Sequence, residues 1–225
     1  MKTKRLLGLG FVAAGAAAGY AIAVRPRMLH WGATEEEVRR ELPGDRFAPE
    51  RFLDETRAVT IDAPPSAVWP WLVQMGYGRA GWYSHDIVER LMCSGKYVEG
   101  HSADRIHPEL QHLSEGDEIP FAPWARYPVV VLEPERNLTI GSGWQFALEE
   151  LTGDRTRLIV RTLGPGWVRD ALGSYRWLRP LGAMIDHVVG EPLHFAMERK
   201  MMLGIKERAE ASVPLTPAAQ VWAAA

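Results

Sequence analysis

The stretch that decides the fold is Val59-Thr60-Ile61-Asp62-Ala63-Pro64-Pro65-Ser66-Ala67-Val68-Trp69-Pro70-Trp71-Leu72-Val73-Gln74-Met75-Gly76. From Arg57 to Ile61 the residues alternate as a strand does. Pro64-Pro65-Ser66 then opens a helix, because proline is tolerated where no backbone N–H is needed. The helix runs to about Met75, and Gly76 stops it. Strand feeds directly into helix, so the rest of the chain must supply the surface on which both pack.

Downstream, Gly76 to Gly116 is rich in glycine and histidine, with a short helical piece at Asp86 to Met92. Strand signals follow at close spacing: Asp117 to Phe121, Val129 to Leu132, Leu138 to Ile140, Trp144 to Leu151 and Arg157 to Leu163. Gly153-Asp154 separates the last two as a hairpin turn. Short consecutive strands imply an antiparallel meander. Gly164 to Gly190 breaks the pattern, and a long helix from about Glu191 to Ala211 closes the chain, with Pro192 in its first turn. Upstream, Thr34 to Glu37 forms a capping box ahead of a short helix. The polar stretch to Thr56 reads as a lead-in that wraps the domain. The order predicts an α+β protein, a curved antiparallel sheet around a long C-terminal helix, with a pocket between them.

These segments resemble the SRPBCC superfamily, the START/polyketide-cyclase-like helix-grip proteins, in a bacterial membrane-anchored branch. The likeness is carried by Val59 to Gly76, Leu132-Glu133-Pro134, Trp144 to Leu151, Thr156 to Arg161, Glu191-Pro192 and Met197 to Lys200, and spans roughly residues 30–211. It implies the helix-grip fold. It does not select an activity, since such folds host carriers, receptors and enzymes. The paired-histidine motif of the iron-dependent branch is not evident.

Composition narrows the rest. The chain of 225 residues is 47% hydrophobic and 24% charged, which excludes long disorder and leaves room for one domain with extras. The net charge of -2 hides an asymmetry. Residues 1–27 hold five basic residues and no acid, leaving 21 basic against 28 acidic residues beyond them. A body at -7 does not suit nucleic-acid binding. The lone Cys93 excludes an internal disulfide framework. Leu6 to Val24 is an uncharged run of 19 residues, just long enough to cross a hydrocarbon core. It reads as a single-pass membrane anchor. The competing reading is a signal peptide cleaved after Ala21-Ile22-Ala23. The flanking basic residues lean toward an extracytoplasmic body. The expected divisions are an anchor at 1–27, a lead-in at 28–56, the helix-grip domain at 57–212 and a tail at 213–225. In the segment 167–179, Trp167, Arg169, Tyr175, Arg176, Trp177 and Arg179 suit either a membrane interface or a loop and short helix packed on the sheet.

Candidate site residues come from the last helix. Leu193, Phe195, Met197, Met201, Met202 and Ile205 occupy one apolar arc, and His194 and Glu198 fall inside it, four residues apart. Burying such groups requires a partner. They are therefore either polar contacts to a ligand, an acid/base pair, or a structural lock between helix and sheet. Arg208 shares the arc. The ligand-binding set is Trp69, Trp82, Tyr83, His85, Trp144, His194, Met197, Glu198, Met201 and Ile205. Methionine and tryptophan together favour an adaptable apolar lining. Arg79 and Arg105 read as surface arginines or polar contacts at a pocket mouth. Tyr83-Ser84-His85-Asp86 is no triad, because adjacent residues cannot assemble one; His85 and Asp86 read as caps for the next helix or as pocket rim. His101, Asp104, His107, Glu109 and His112, with the repeated E-x-x-H at Glu109 and Glu191, fall short of a metal signature. No metal and no cofactor is expected.

The leading expectation is membrane-tethered binding of a small hydrophobic or amphipathic ligand of lipid, polyketide or isoprenoid type. The alternatives are a cyclase or dehydratase using Glu198 and His194 as acid and base, and an interaction module with a closed pocket.

Overall fold

The computed structural model describes residue 15 and residues 18–213. Most of the expected anchor and nearly all of the C-terminal tail lie outside the described residues. No helix among the described residues is long and apolar enough to cross a membrane.

A short helix α1 (Arg25–Leu29) leads to α2 (Glu35–Arg39), whose Thr34–Glu37 capping box forms as expected. Strand β1 (Leu53–Ile61) starts four residues earlier than the alternation from Arg57 implied, so the end of the lead-in belongs to the sheet. Helix α3 (Pro65–Val73) and the short α4 (Asp86–Leu91) follow. The meander comprises β2 (Glu118–Ala122), β3 (Ala125–Glu133), β4 (Asn137–Ile140), β5 (Trp144–Leu151) and β6 (Arg155–Gly164). Gly164 to Gly190 is largely helical, more so than the expected loop and short helix. It holds α5 (Trp167–Ala171), α6 (Arg179–Ile185) and a π-helical turn at Asp186–Gly190, which runs on into α7 (Glu191–Ser212).

The strands form one antiparallel sheet in the order β1-β6-β5-β4-β3-β2, with Leu53 opposite Gly164 and Ile61 opposite Thr156. Register shifts interrupt the β2–β3 ladder at Pro120/Ala122 and the β3–β4 ladder at Val129/Val131, irregularities of the kind that bend a strand. Its inner face, with α3 and α7, encloses a core that includes Ile61, Leu72, Met75, Phe146, Leu158, Val160, Met201, Met202 and Ile205. The outer face is closed by the lead-in. Leu42 packs there on Ala58, Ala147 and Ile159, and buried Arg161 binds Asp45, Thr56 and the carbonyls of Glu37, Val38 and Arg40. These carbonyls end α2, where intrahelical donors run out. This is an α+β helix-grip architecture, as the strand spacing and the final helix predicted.

Candidate functional site

Two polar constellations stand against α7, one near each end. The first gathers around His194 and Glu198. On β1, period two sends Glu55, Arg57, Val59 and Ile61 to the same inner face. Glu55 and Arg57 are therefore carried under α7, fully buried. The Arg57 guanidinium donates from Nη1 to Glu198 Oε2, and from Nε to the Met28 carbonyl at 2.8 Å. Its Nη2 lies 2.8 Å from Glu55 Oε2, out of line for a hydrogen bond, and Glu55 Oε1 has no partner among the described residues. The second Glu198 oxygen accepts from Trp144 Nε1 at 3.1 Å and from Thr162 Oγ1 at 3.2 Å. His194 Nδ1 meets Glu55 Oε2 at 2.5 Å, its Nε2 is 3.6 Å from Glu198, and its ring centroid is 4.9 Å from that of Trp167.

The electrostatics follow from the geometry. Burial pulls the His194 imidazolium down, but the Glu198 and Glu55 carboxylates outweigh it and hold its pKa above the ordinary histidine value. Burial pushes Glu55 up, yet His194 and Arg57 bring it below the usual carboxylate range. Both Glu198 oxygens and both His194 nitrogens thus face protein partners. Glu55, His194 and Glu198 are the one grouping among the described residues whose ligand atoms converge as for a metal ion. Their positive centre is already the Arg57 guanidinium, which a cation would have to displace. The histidines and acids of 101–112 do not converge: His107 is buried against Glu99 and Glu109, and Asp104 binds Arg208.

The aromatic members of the expected ligand set pack mainly on one another. Trp82 lies 5.2 Å from Trp144 and 5.4 Å from Phe121, centroid to centroid, and Trp144 lies 5.2 Å from Phe146. Met201 and Ile205 are core residues, and Trp69 is half-buried at the core edge. Met197 is half-buried on α7.

The second constellation surrounds an open cleft of about 700 Å³ between the C-terminal half of α7 and the segment 76–116. Ile106 supplies apolar surface, with Trp71 and Tyr83 buried behind the wall; Lys200, Glu207, Arg208, Ala211 and Ser212 come from α7; Ser84, Asp86, His101, Ser102, Asp104 and Arg105 come from the opposite side. Gly76, Gly78 and Gly81 turn the chain through positive φ to deliver Tyr83, itself at φ 56°. At Gly81 a Cβ would meet the Tyr97 ring at 2.7 Å, so only glycine fits. Buried Gln74, at the end of α3, binds this region together. Its Nε2 donates to Tyr83 Oη at 2.9 Å and to the Arg105 carbonyl at 3.1 Å, while its Oε1 accepts from His107 N at 2.9 Å. Arg208 lies over the Tyr83 ring and donates to the Ala103 carbonyl and to Asp104. Ser102 Oγ donates to Asp86 at 2.8 Å.

Beneath Ser84 lies buried Glu89. It accepts from the Ser84 hydroxyl and from Tyr97 Oη at 2.9 Å, without a cation, and burial raises its pKa. A group whose folded pKa is raised favours the acid form, so its contribution falls as pH climbs from the unfolded value through the folded one. Glu89→Gln, which keeps the acceptor, is expected to be more stable than the parent at pH 8 by ~0.5–2 kcal/mol and equal to it at pH 4, read by urea unfolding. An equal difference at both pH values would show that folding leaves the Glu89 pKa unshifted.

Three sequence expectations change, and one pair of residues was missed. His85 is exposed and outside the cleft lining. Neither His85 nor Asp86 caps α4 through its side chain; Asp86 is drawn across to Ser102. Arg79 is no surface arginine: it donates to the carbonyls of Val73, Met75 and Leu110, closing the end of α3. Glu55 and Arg57 were missed, although their place on the inner row of β1, opposite two charges on α7, is a readable signal.

No protein-family model matches the chain, and no curated protein matches it. Among solved structures it is similar to a Polyketide_cyc-like protein from Corynebacterium glutamicum, with 13% identity, a TM-score of 0.40, and coverage of 72% of this chain and 94% of the other. It is similar also to a conserved protein of unknown function from Enterococcus faecalis, at 16% identity and TM-score 0.32 over 68% and 83% of the two chains. CalU16 from Micromonospora echinospora matches at 19% identity and TM-score 0.28, over 70% and 84%. Strand order and the long α7 define the helix-grip architecture here, and matches at these scores add nothing to it.

Proposed function

We propose that this protein is a membrane-tethered binder of a small amphipathic molecule, held in the cleft between α7 and the segment 76–116. The cleft carries this reading. Its volume of about 700 Å³ lies within the range of small-molecule sites. Ile106, backed by the buried Trp71 and Tyr83, offers a small apolar surface, while Lys200, Arg105 and Arg208 are balanced by Asp86, Asp104 and Glu207. A ligand with an apolar body and a head that both donates and accepts hydrogen bonds matches such a lining. Gln74, Asp86 and Arg208 fasten the walls to one another, so little ordering remains for binding to impose. The tether is the uncharged run Leu6 to Val24 with its flanking basic residues.

The test is mass spectrometry of organic extracts from the purified full-length chain, beside Ala211→Trp. Ala211 is exposed on the cleft wall, so the larger side chain fills the cleft without entering the core. A small molecule recovered near one per chain, and reduced about tenfold in Ala211→Trp at unchanged melting temperature, is the expected result. Extracts that are empty, or unaffected by the substitution, refute the reading.

A further inference from the structure

The helical segment between β6 and α7 presents an outer face that a protein surrounded by water does not ordinarily carry. Trp177, Leu181, Met184 and Val188 recur at intervals of four, three and four, on one side of a continuous helical path, and all are exposed, Trp177 at 78% and Val188 at 61%. Val189 and Leu193 extend the row. From Pro180 to Gly190 the only formally charged residue is Asp186, and it is buried. A solvated helix face is polar, so this stripe has the opposite pattern.

The inner side of this segment is firmly bound. Asp186 turns inward and accepts from the backbone N–H groups of Val168 and Arg169, both at 2.9 Å, tying α6 to the start of α5. Gly182 is buried where a Cβ would strike the Arg169 backbone at 2.8 Å. Buried Glu191 is held by Arg25 and by His187. With its inner side so fixed, the segment holds its apolar side outward.

What covers that side is indicated by the chain entering beside it. Tyr20 Oη donates to the His187 carbonyl at 2.8 Å, and Arg25 pairs with Glu191. The last residues of the uncharged run are thereby fastened next to Val188 and Val189, and Ile22 and Val24 are themselves exposed. Exposed Arg27 follows, and exposed Arg176 stands beside Trp177 at the start of the stripe. An apolar stripe bordered by arginine and aromatic residues, at the point where an apolar run leaves the domain, matches the headgroup and acyl boundary of a bilayer. Resting on the tether reading, we infer that this face lies in the membrane interface, with Met184, Val188 and Trp177 directed into the lipid and the exposed Arg27 and Arg176 at the headgroups. The domain would then be docked on the bilayer rather than swinging from a leash.

The experiment uses the full-length chain with Cys93→Ser and single spin labels at Met184→Cys, Val188→Cys or, as the control on α4, Leu91→Cys, in vesicles of three parts phosphatidylcholine to one part phosphatidylglycerol. All three positions are exposed, so none threatens the core. Collision with oxygen relative to a water-soluble nickel chelate is expected to be about fivefold higher at positions 184 and 188 than at 91. If the chain floats with the vesicles but all three labels are equally open to nickel, the docking inference fails and the tether stands. If the chain does not float, both fail. Labels at 184 and 188 that are shielded from both reagents and broadened by each other would place a second copy on this face, and would overturn the inference.

Discussion

Arg57→Met is expected to lower stability by about 4 kcal/mol at pH 7, within the ~3–5 kcal/mol found when one member of a buried ion network is removed. The reason lies in what is left behind. Glu55 and Glu198 are buried on facing elements, and Arg57 is the cation between them. Without it, two carboxylates share a low-dielectric space with His194 alone. In a domain of this size the melting temperature would fall by roughly 8–16 °C, read by circular dichroism of the full chain. The triple variant Glu55→Gln, Arg57→Met, Glu198→Gln removes the stranded charges as well, and is expected within about 1 kcal/mol of the parent, because an uncharged replacement of a buried ion network is often neutral. A single-variant loss below ~1 kcal/mol would show that the cluster does not lock β1 to α7. The pH dependence has a definite sign. Glu55 is depressed, so its contribution is present above its unfolded value and is lost as pH falls through the folded one. His194 is raised, so its contribution is complete below its unfolded value and is lost as pH rises through the folded one. The penalty of Arg57→Met should therefore shrink toward acid, where Glu55 takes up a proton.

The same cluster marks how far the sequence could be read. The amphipathic arc of the last helix placed His194 and Glu198 on its inner side, because a 3.6-residue period is visible over the 22 residues of unbroken helix. Their partners were hidden by a boundary. With β1 begun at Arg57, the alternation showed one inward arginine; begun at Leu53, it shows Glu55 and Arg57 together on the inner row. Two inward charges on a strand and two on the facing helix are complementary, and that could have been seen. The meander was legible for a similar reason, since hairpin turns such as Gly153-Asp154 announce themselves locally. The cleft was not legible. Tyr83, Asp86, Ser102 and Arg208 meet only because Gln74 and three positive-φ glycines fold the segment 76–116 back onto α7, and no periodic pattern reports a contact of that kind. The aromatic side chains expected to line a pocket proved mainly to fill the core. Tryptophan and methionine on an inner face have the same pattern whether they touch a ligand or each other.

Gly204→Val is expected to cost about 3 kcal/mol, at the upper end of what overpacking a closed interface does. Gly204 sits in the middle of α7, where glycine ordinarily loses ~1 kcal/mol against alanine through backbone entropy. The structure supplies a reason for its presence. A Cβ at this position would stand 2.5 Å from the Tyr83 carbonyl oxygen and 3.1 Å from Tyr83 Cβ. The first of these is backbone and cannot rotate away. Tyr83 is itself held at positive φ, is fully buried, and is bound through its hydroxyl to Gln74 and to the Trp71 carbonyl at 3.1 Å. Any retreat of its carbonyl therefore moves the floor of the cleft and the Gln74 hub with it. Gly204→Ala separates the two effects: helix propensity alone predicts a gain, whereas the Tyr83 contact predicts a net loss. In both variants the co-purified molecule should decline together with stability, since cleft floor and helix contact are one structure. A stable Gly204→Ala protein that keeps its ligand would mean that the segment 76–84 yields without cost, and that the cleft is not held by its contact with α7.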